Sequence, residues 1–138
     1  MRTTMKISTF LKKWQGKSIE DWGGSTSDDF NKVWSDLVKT VNTIAKDNDA
    51  RIVNTIKGHY DGSMFVATND DSHYVYISFS QEQLRGRVNV LDCGYIHGLL
   101  IRTAESATDY RGGYNNFCSL LELPDKMARL LKTEHRLV

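Results

Sequence analysis

The stretch SDDFNKVWSDLVKTVNTIAK, residues 27–46, decides the fold predicted for this chain. Its apolar side chains recur at intervals of three residues and one residue, which places them in a single stripe along a helix. Thr26 or Ser27 can accept a hydrogen bond from an unpaired N–H of the first turn. The stripe consists of Phe30, Val33, Trp34, Leu37, Val38, Val41, Ile44 and Ala45. The sequence therefore predicts a long amphipathic helix that covers one face of another layer.

The residues that follow this helix carry the signals of an antiparallel sheet. Runs of β-branched and aromatic residues are separated by turn-forming residues, with Asp61-Gly62 as a hairpin turn. The predicted strands are residues 51–60, 63–68, 73–79, 88–91 and 95–102. A short basic helix over residues 5–15 and a helix that begins at Pro124 complete the pattern. We expect an α+β fold in which an antiparallel sheet of about four to five strands is covered on one face by the long helix.

Length and charge predict a single domain over residues 1–138. A chain of 138 residues with 40% hydrophobic content can bury a core without disulfides or metal. The net charge of +1 gives no strong overall field, so a surface that binds polyanions would have to be a local patch. Cys93 and Cys118 suggest two free thiols. No segment has the apolar length of a signal peptide or membrane span, so we expect a cytoplasmic location and no membrane partner.

A second stretch, residues 102–117, has a composition that no hydrophobic period explains. Arg102 and Arg111 can make bidentate contacts with phosphates or carboxylates. Gly112-Gly113 allows the backbone to turn and to approach a ligand closely. The other binding candidates in this stretch are Tyr110, Tyr114, Asn115 and Phe117. We expect Tyr110, Arg111 and Tyr114 to project from a glycine turn at the surface, beside Arg102 at the end of a strand.

A structural alternative exists for the same stretch. The glycine turn would then lead into a helix capped by Asn115 or Asn116, with Phe117 and Leu120 buried. The sequence alone leaves both interpretations open.

Further binding candidates lie on a predicted strand and in a predicted loop. Tyr74 and Tyr76 share one face of the strand 73–79 because side chains alternate with a period of two. Aromatic side chains on an open sheet face can stack on bases or contact a protein, and plain packing is the alternative. Arg85 and Arg87 are the cationic candidates of the loop, with a solvated loop as the alternative.

Motifs for catalysis or metal binding are weak in this sequence. Gly16-Lys17-Ser18 lacks the upstream glycine of a phosphate-binding loop. A small hydrolase or transferase would use His59, Asp61 or His97, and none of the histidines has the paired spacing of a zinc motif. We therefore expect no catalytic residue, no metal and no cofactor.

Residues 100–104 (LIRTA) and 109–116 (DYRGGYNN) together resemble segments of small proteins from phages and mobile elements of Gram-positive bacteria. The resemblance covers less than a fifth of the chain. It implies a setting in which compact proteins bind and block host machinery, anti-CRISPR proteins among them.

These observations predict a non-enzymatic binding protein that acts on a nucleic-acid-handling complex in the host cytoplasm, as an inhibitor of host defence. The expected partner is a protein or a ribonucleoprotein complex. One alternative is an autonomous DNA- or RNA-binding module that uses a local basic patch. The other alternative is a small hydrolase or transferase.

Overall fold

The computed structural model describes residues 3–18, 28–58, 61–79, 87–93 and 98–136. Within these residues the chain forms three helices and five strands. The helices are α1 (Ile7–Trp14), α2 (Asp28–Asp47) and α3 (Leu123–Leu130). The strands are β1 (Ala50–Lys57), β2 (Gly62–Thr68), β3 (Tyr74–Phe79), β4 (Leu99–Ala104) and β5 (Asn116–Cys118). The predicted α+β class, with a long helix on an antiparallel sheet, is confirmed.

The strands of the described residues lie in one antiparallel sheet with the order β1-β2-β3-β4-β5. Each strand therefore pairs with the next strand along the chain. The register places Phe65 opposite Tyr76 and Tyr76 opposite Arg102, so these three side chains share one face of the sheet. A bulge between Ile52 and Asn54 shifts the register of β1 and sets Asn54 opposite Phe65 on that same face.

Helix α2 covers the other face of the sheet, as the sequence predicts. Leu37 is 1% exposed and lies in the core with apolar residues of β2, β3 and β4. Trp34, which the sequence places in the buried stripe, is only partly buried. Its ring contacts Phe79, with centroids 5.3 Å apart, while it also lines a surface groove beside Thr55. The apolar stripe of α2 is thus buried at Leu37 and partly exposed to solvent at Trp34.

The connection between β1 and β2 differs from the predicted Asp61-Gly62 turn. Lys57 pairs with Gly62, so Gly62 is the first residue of β2 and the connection consists of residues 58–61. A Cβ atom at Gly62 would overlap the ring of Trp34. Glycine is therefore required at this position by the close approach of α2 to the sheet and not by the turn.

Two other sequence predictions need correction. The predicted strand 88–91 is not part of the sheet; Arg87 forms an isolated bridge with Ser18, and Val88 forms backbone hydrogen bonds with Gly16 and Lys17. The alternative of a helix after the glycine turn is wrong because Asn116–Cys118 pairs with the free edge of β4. The predicted strand 95–102 corresponds to β4, and residues 94–97 lie outside the described part of the chain.

One buried carboxylate holds α1 against α2. Asp36 is 4% exposed and accepts a hydrogen bond of 2.7 Å from Nε1 of Trp14. The ammonium groups of Lys13 and Lys39 lie 2.7 and 3.5 Å from its oxygens. Burial raises the pKa of Asp36, but the hydrogen bonds from Lys13 and Trp14 and the nearby positive charges lower it below its ordinary value.

Helix α3 has Pro124 in its first turn, as the sequence predicts, and buries Leu123, Met127 and Leu130. Cys93 and Cys118 are both free thiols. Burial raises the pKa of Cys118 to about 12. Among the residues described here, no helix is long and apolar enough to cross a membrane.

Replacing Leu37 with Ala should lower the free energy of unfolding by about 2–5 kcal/mol, because it leaves a cavity under α2. Lys32→Ala, on the exposed side of the same helix, should change it by about 0.5 kcal/mol or less. Urea denaturation measures both values. Small and equal effects would contradict the central place of α2 in the core.

Replacing Asp36 with Asn should remove a stabilisation that depends on pH. The pKa of Asp36 is lower in the folded state, so its ionised form stabilises the fold above about pH 4. This contribution is lost as the pH falls through the lowered pKa. We expect a loss of about 1–3 kcal/mol at neutral pH and a smaller difference from the unmodified protein in acid.

Urea denaturation of both proteins at neutral and acidic pH measures this difference. Asp61→Asn, the same change at an exposed position in the β1–β2 connection, is the control and should alter the free energy of unfolding by about 0.5 kcal/mol or less. A constant difference at all pH values would mean that the charge of Asp36 is not what stabilises the α1–α2 contact.

Candidate functional site

The sheet face opposite α2 is partly covered by the residues that follow β4. Tyr110 stacks on Tyr76 with ring centroids 4.9 Å apart, and Tyr76 meets Phe65 edge-on at 5.0 Å. Asn54 donates a hydrogen bond from Nδ2 to the carbonyl of Ala107 at 3.2 Å. Phe65 is fully buried, whereas Tyr110 is 52% exposed. Tyr76 therefore serves as a platform for Tyr110 and does not present an open ring to a base.

Arg102 holds the backbone of the glycine turn from the sheet side. Its Nε donates a hydrogen bond of 3.0 Å to the carbonyl oxygen of Gly112. Its Nη2 also bonds to that oxygen and lies 3.3 Å from the carbonyl oxygen of Gly113. The planar guanidinium suits two neighbouring acceptors. Its Nε and Nη2 groups are thus bonded to the backbone of the turn, which fixes the guanidinium against it.

The turn itself requires glycine at two positions. Gly112 and Gly113 have φ values of 83° and 72°, a region that side chains disfavour. A Cβ atom on Gly113 would also lie 2.6 Å from Oγ1 of Thr103. The N–H of Gly113 donates to the carbonyl of Arg136 at 2.9 Å. The turn is therefore tied both to β4 and to the segment that follows α3.

Asp109 and Arg111 close the other side of this turn. Nε of Arg111 lies 2.9 Å from Oδ2 of Asp109, and the backbone N–H of Arg111 donates to Oδ1 at 3.0 Å. The hydrogen bonds from Arg111 hold the pKa of Asp109 below its usual value, and the carboxylate raises the pKa of Arg111. The Arg111 side chain is 73% exposed, so solvent screens this ion pair. The ion pair therefore mainly fixes the local geometry of the turn and adds little to the stability of the fold.

Tyr114 is the large side chain that this arrangement leaves most open to solvent. It is 76% exposed, and Asn115 beside it is also exposed. A groove of about 590 Å³ lies next to it, lined by residues that include Gly113, Asn116, Leu130, Glu134 and Arg136. An aromatic side chain on a fixed backbone beside a groove is typical of an interface anchor. We call residues 109–115 the glycine loop.

A contact between β4 and the segment after α3, formed by His135 next to the glycine loop, was not found from the sequence. Nδ1 of His135 lies 2.9 Å from Oγ1 of Thr103, and Nε2 lies 3.2 Å from a carboxylate oxygen of Glu105. Nε2 is buried and poorly aligned for a hydrogen bond to that oxygen. Thr103 and His135 are 32 residues apart, so no local pattern connects them.

A hydroxyl, an imidazole and a carboxylate in this order can also activate a nucleophile. Thr103, however, is 6% exposed, and the backbone of Gly113 lies against its hydroxyl group. A substrate therefore has no open approach to this oxygen. The geometry favours a structural clamp over catalysis.

The other residues predicted from the sequence either lie away from the glycine loop or fall outside the described part of the chain. Arg87 is exposed beside Ser18, and Tyr74 is half-buried on β3. The positions outside the described part of the chain are Arg85, His59 and His97. Within the described part, no group of three or more His, Cys, Asp or Glu residues is placed to hold a metal ion.

Replacing Arg102 with Ala should loosen the glycine loop while the sheet remains folded. The change leaves two carbonyl groups without their charged donor, which costs about 1–3 kcal/mol. Hydrogen exchange should accelerate at the amide of Gly113, which reports the contact with Arg136. Arg129→Ala, an exposed position on α3, should leave this exchange rate unchanged. Unaltered protection in the Arg102 variant would show that the loop is held without the guanidinium.

The structure thus brings Arg102 of β4 together with the glycine loop. Arg102 and Arg111 are bonded within the protein, and Tyr110 and Tyr114 are exposed. No protein-family model, no curated protein and no solved structure matches this chain.

Proposed function

We propose that this protein is a non-enzymatic binding protein and that the glycine loop is its recognition site. The observation that carries the proposal is the 76% exposure of Tyr114 on a backbone fixed by Arg102 and Arg136. A loop that is already ordered loses little conformational entropy when it binds. Exposed tyrosines on such a loop can therefore contribute most of the binding energy.

A protein surface fits this loop better than a phosphate backbone does. Arg102 and Arg111 donate to groups within the loop, so a phosphate would have to compete with those bonds. Tyr110 covers Tyr76, which removes a stacking surface for bases. Tyr114 and the neighbouring groove instead provide a projecting ring and a recess, which suit a protein partner.

The proposed partner is a protein or ribonucleoprotein complex that handles nucleic acid in a host cell, with the protein acting as an inhibitor of host defence. This part of the proposal rests on the resemblance of residues 100–104 and 109–116 to segments of phage and mobile-element proteins. The cytoplasm of the host cell is the corresponding location.

The decisive experiment separates binding from folding. Proteins captured from a lysate of the producing cell, with and without nuclease treatment, would supply the partner for affinity measurements. Tyr114→Ala should weaken the complex by about 2 kcal/mol or more, roughly 30-fold in Kd. Its melting temperature should remain unchanged, because the side chain is largely solvated.

Leu121→Ala is the matched control, since Leu121 is a comparably exposed apolar residue at 61%. It should bind the partner with unchanged affinity. Arg111→Ala tests a second exposed side chain of the glycine loop. We expect this variant to bind the partner more weakly and to keep its melting temperature. Loss of stability in the Tyr114 variant together with normal affinity of its folded fraction would make the loop structural and refute the proposal.

A further inference from the structure

Lysine and arginine side chains gather around the C-terminal end of α1, away from the glycine loop. Lys12 and Lys13 lie in the last turn of the helix, and Lys17 follows it. Lys12, Lys17 and Arg87 are all exposed, and half of the Lys13 side chain is exposed. We call these four residues the basic surface.

Backbone pairing brings Arg87 to this surface. The N–H of Gly16 donates to the carbonyl of Val88 at 2.8 Å, and the N–H of Val88 donates to the carbonyl of Lys17 at 2.9 Å. Arg87 pairs with Ser18 in the same short ladder. A residue distant in sequence is thereby fixed next to the basic end of α1.

The ring of Trp14 positions two of the cations. The ammonium groups of Lys13 and Lys17 lie 5.4 and 5.1 Å from its centroid. Trp14 is 2% exposed, and Asp36 accepts a hydrogen bond from its Nε1. Contact with an aromatic ring favours a cation there and limits the freedom of the lysine side chain.

The described carboxylates near this surface do not balance its charge. Asp36 is buried and bonds to Lys13 and Trp14. Asp92 lies close by through its hydrogen bond with Asn89, whose side chain also bonds to Gln15. Within the described part of the chain, Lys13 is paired with Asp36, whereas Lys12, Lys17 and Arg87 form no ion pair. The chain as a whole has a net charge of only +1, so this local excess is not a general property of its surface.

We propose that the basic surface binds the phosphate backbone of nucleic acid without reading its sequence. Lysine and arginine contacts to phosphate supply affinity and positioning, whereas base contacts supply specificity. The apolar residues of α1 pack on the core: Phe10 and Trp14 are buried, and Ile7 and Leu11 are partly buried. The helix therefore has no free apolar face for insertion into a lipid surface. This inference uses no residue of the glycine loop and does not depend on the function proposed for it.

The test measures binding of a fluorescent DNA duplex of arbitrary sequence to the full chain at several salt concentrations. Contacts to three phosphates predict binding about 40-fold weaker at 200 mM than at about 50 mM salt. A charge-reversal variant should bind at least about tenfold more weakly than the unmodified protein at low salt. It carries Lys12→Glu, Lys17→Glu and Arg87→Glu.

The control variant makes the same change in net charge on α3 and the turn after it. It carries Lys126→Glu, Arg129→Glu and Lys132→Glu. Its affinity for the duplex should stay close to that of the unmodified protein. Equal losses in the two variants would show that only net charge matters and would overturn the assignment of the surface. If charge reversal prevents folding, Lys12→Gln with Lys17→Gln provides the same comparison in milder form.

Two further probes identify the class of polyanion. Anionic phospholipid vesicles and a polyglutamate peptide should bind more weakly than the duplex at equal salt. Binding of either as tightly as the duplex, or no salt-dependent binding of the duplex at all, would overturn the proposal.

Discussion

Burial of α2 against one face of the sheet is the constraint on which the rest of the structure depends. Side chains alternate along β3 and β4, so placing Val75 and Ile101 under the helix turns Tyr76 and Arg102 to the opposite face. There they form the base of the glycine loop, beside Phe65 of β2. A shift of one residue in strand register would exchange the two faces and remove this base. The helix thus decides which side chains can build the candidate site, although the site lies on the other side of the sheet.

The two surfaces of interest use cationic side chains in opposite ways. Arg102 of β4 and Arg111 bond to carbonyl and carboxylate oxygens of the glycine loop, so they organise its backbone. Around α1, Trp14 contacts Lys17 through its ring, and a ring cannot neutralise the ammonium charge. Positive charge therefore remains available at the second surface. Arg111 is paired with the Asp109 carboxylate, whereas Lys12, Lys17 and Arg87 form no ion pair within the described residues.

Local sequence patterns were sufficient for most of the fold and for part of the site. The apolar stripe of α2 and the alternation in β3 have fixed periods, so both elements could be predicted. The glycine loop could be predicted from composition, because Gly112-Gly113 marks a turn. Contacts between distant residues have no such signal. The bonds of Arg102 to the loop, the contact of His135 with Thr103 and the pairing of Arg87 with Ser18 depend on how the chain folds back on itself.

The order of the strands also has a consequence for how the molecule folds. Neighbouring strands follow one another along the chain, and the connections 58–61 and 69–73 are short, so β1, β2 and β3 can pair with small loop closures. The contact of Gln15 with Asn89 spans 74 residues and must wait for a much larger closure. We expect the ladder between residues 16–18 and 87–88 to form late and to open without global unfolding. The α1 end of the molecule would then be its most adaptable part, resting on a sheet that stays intact.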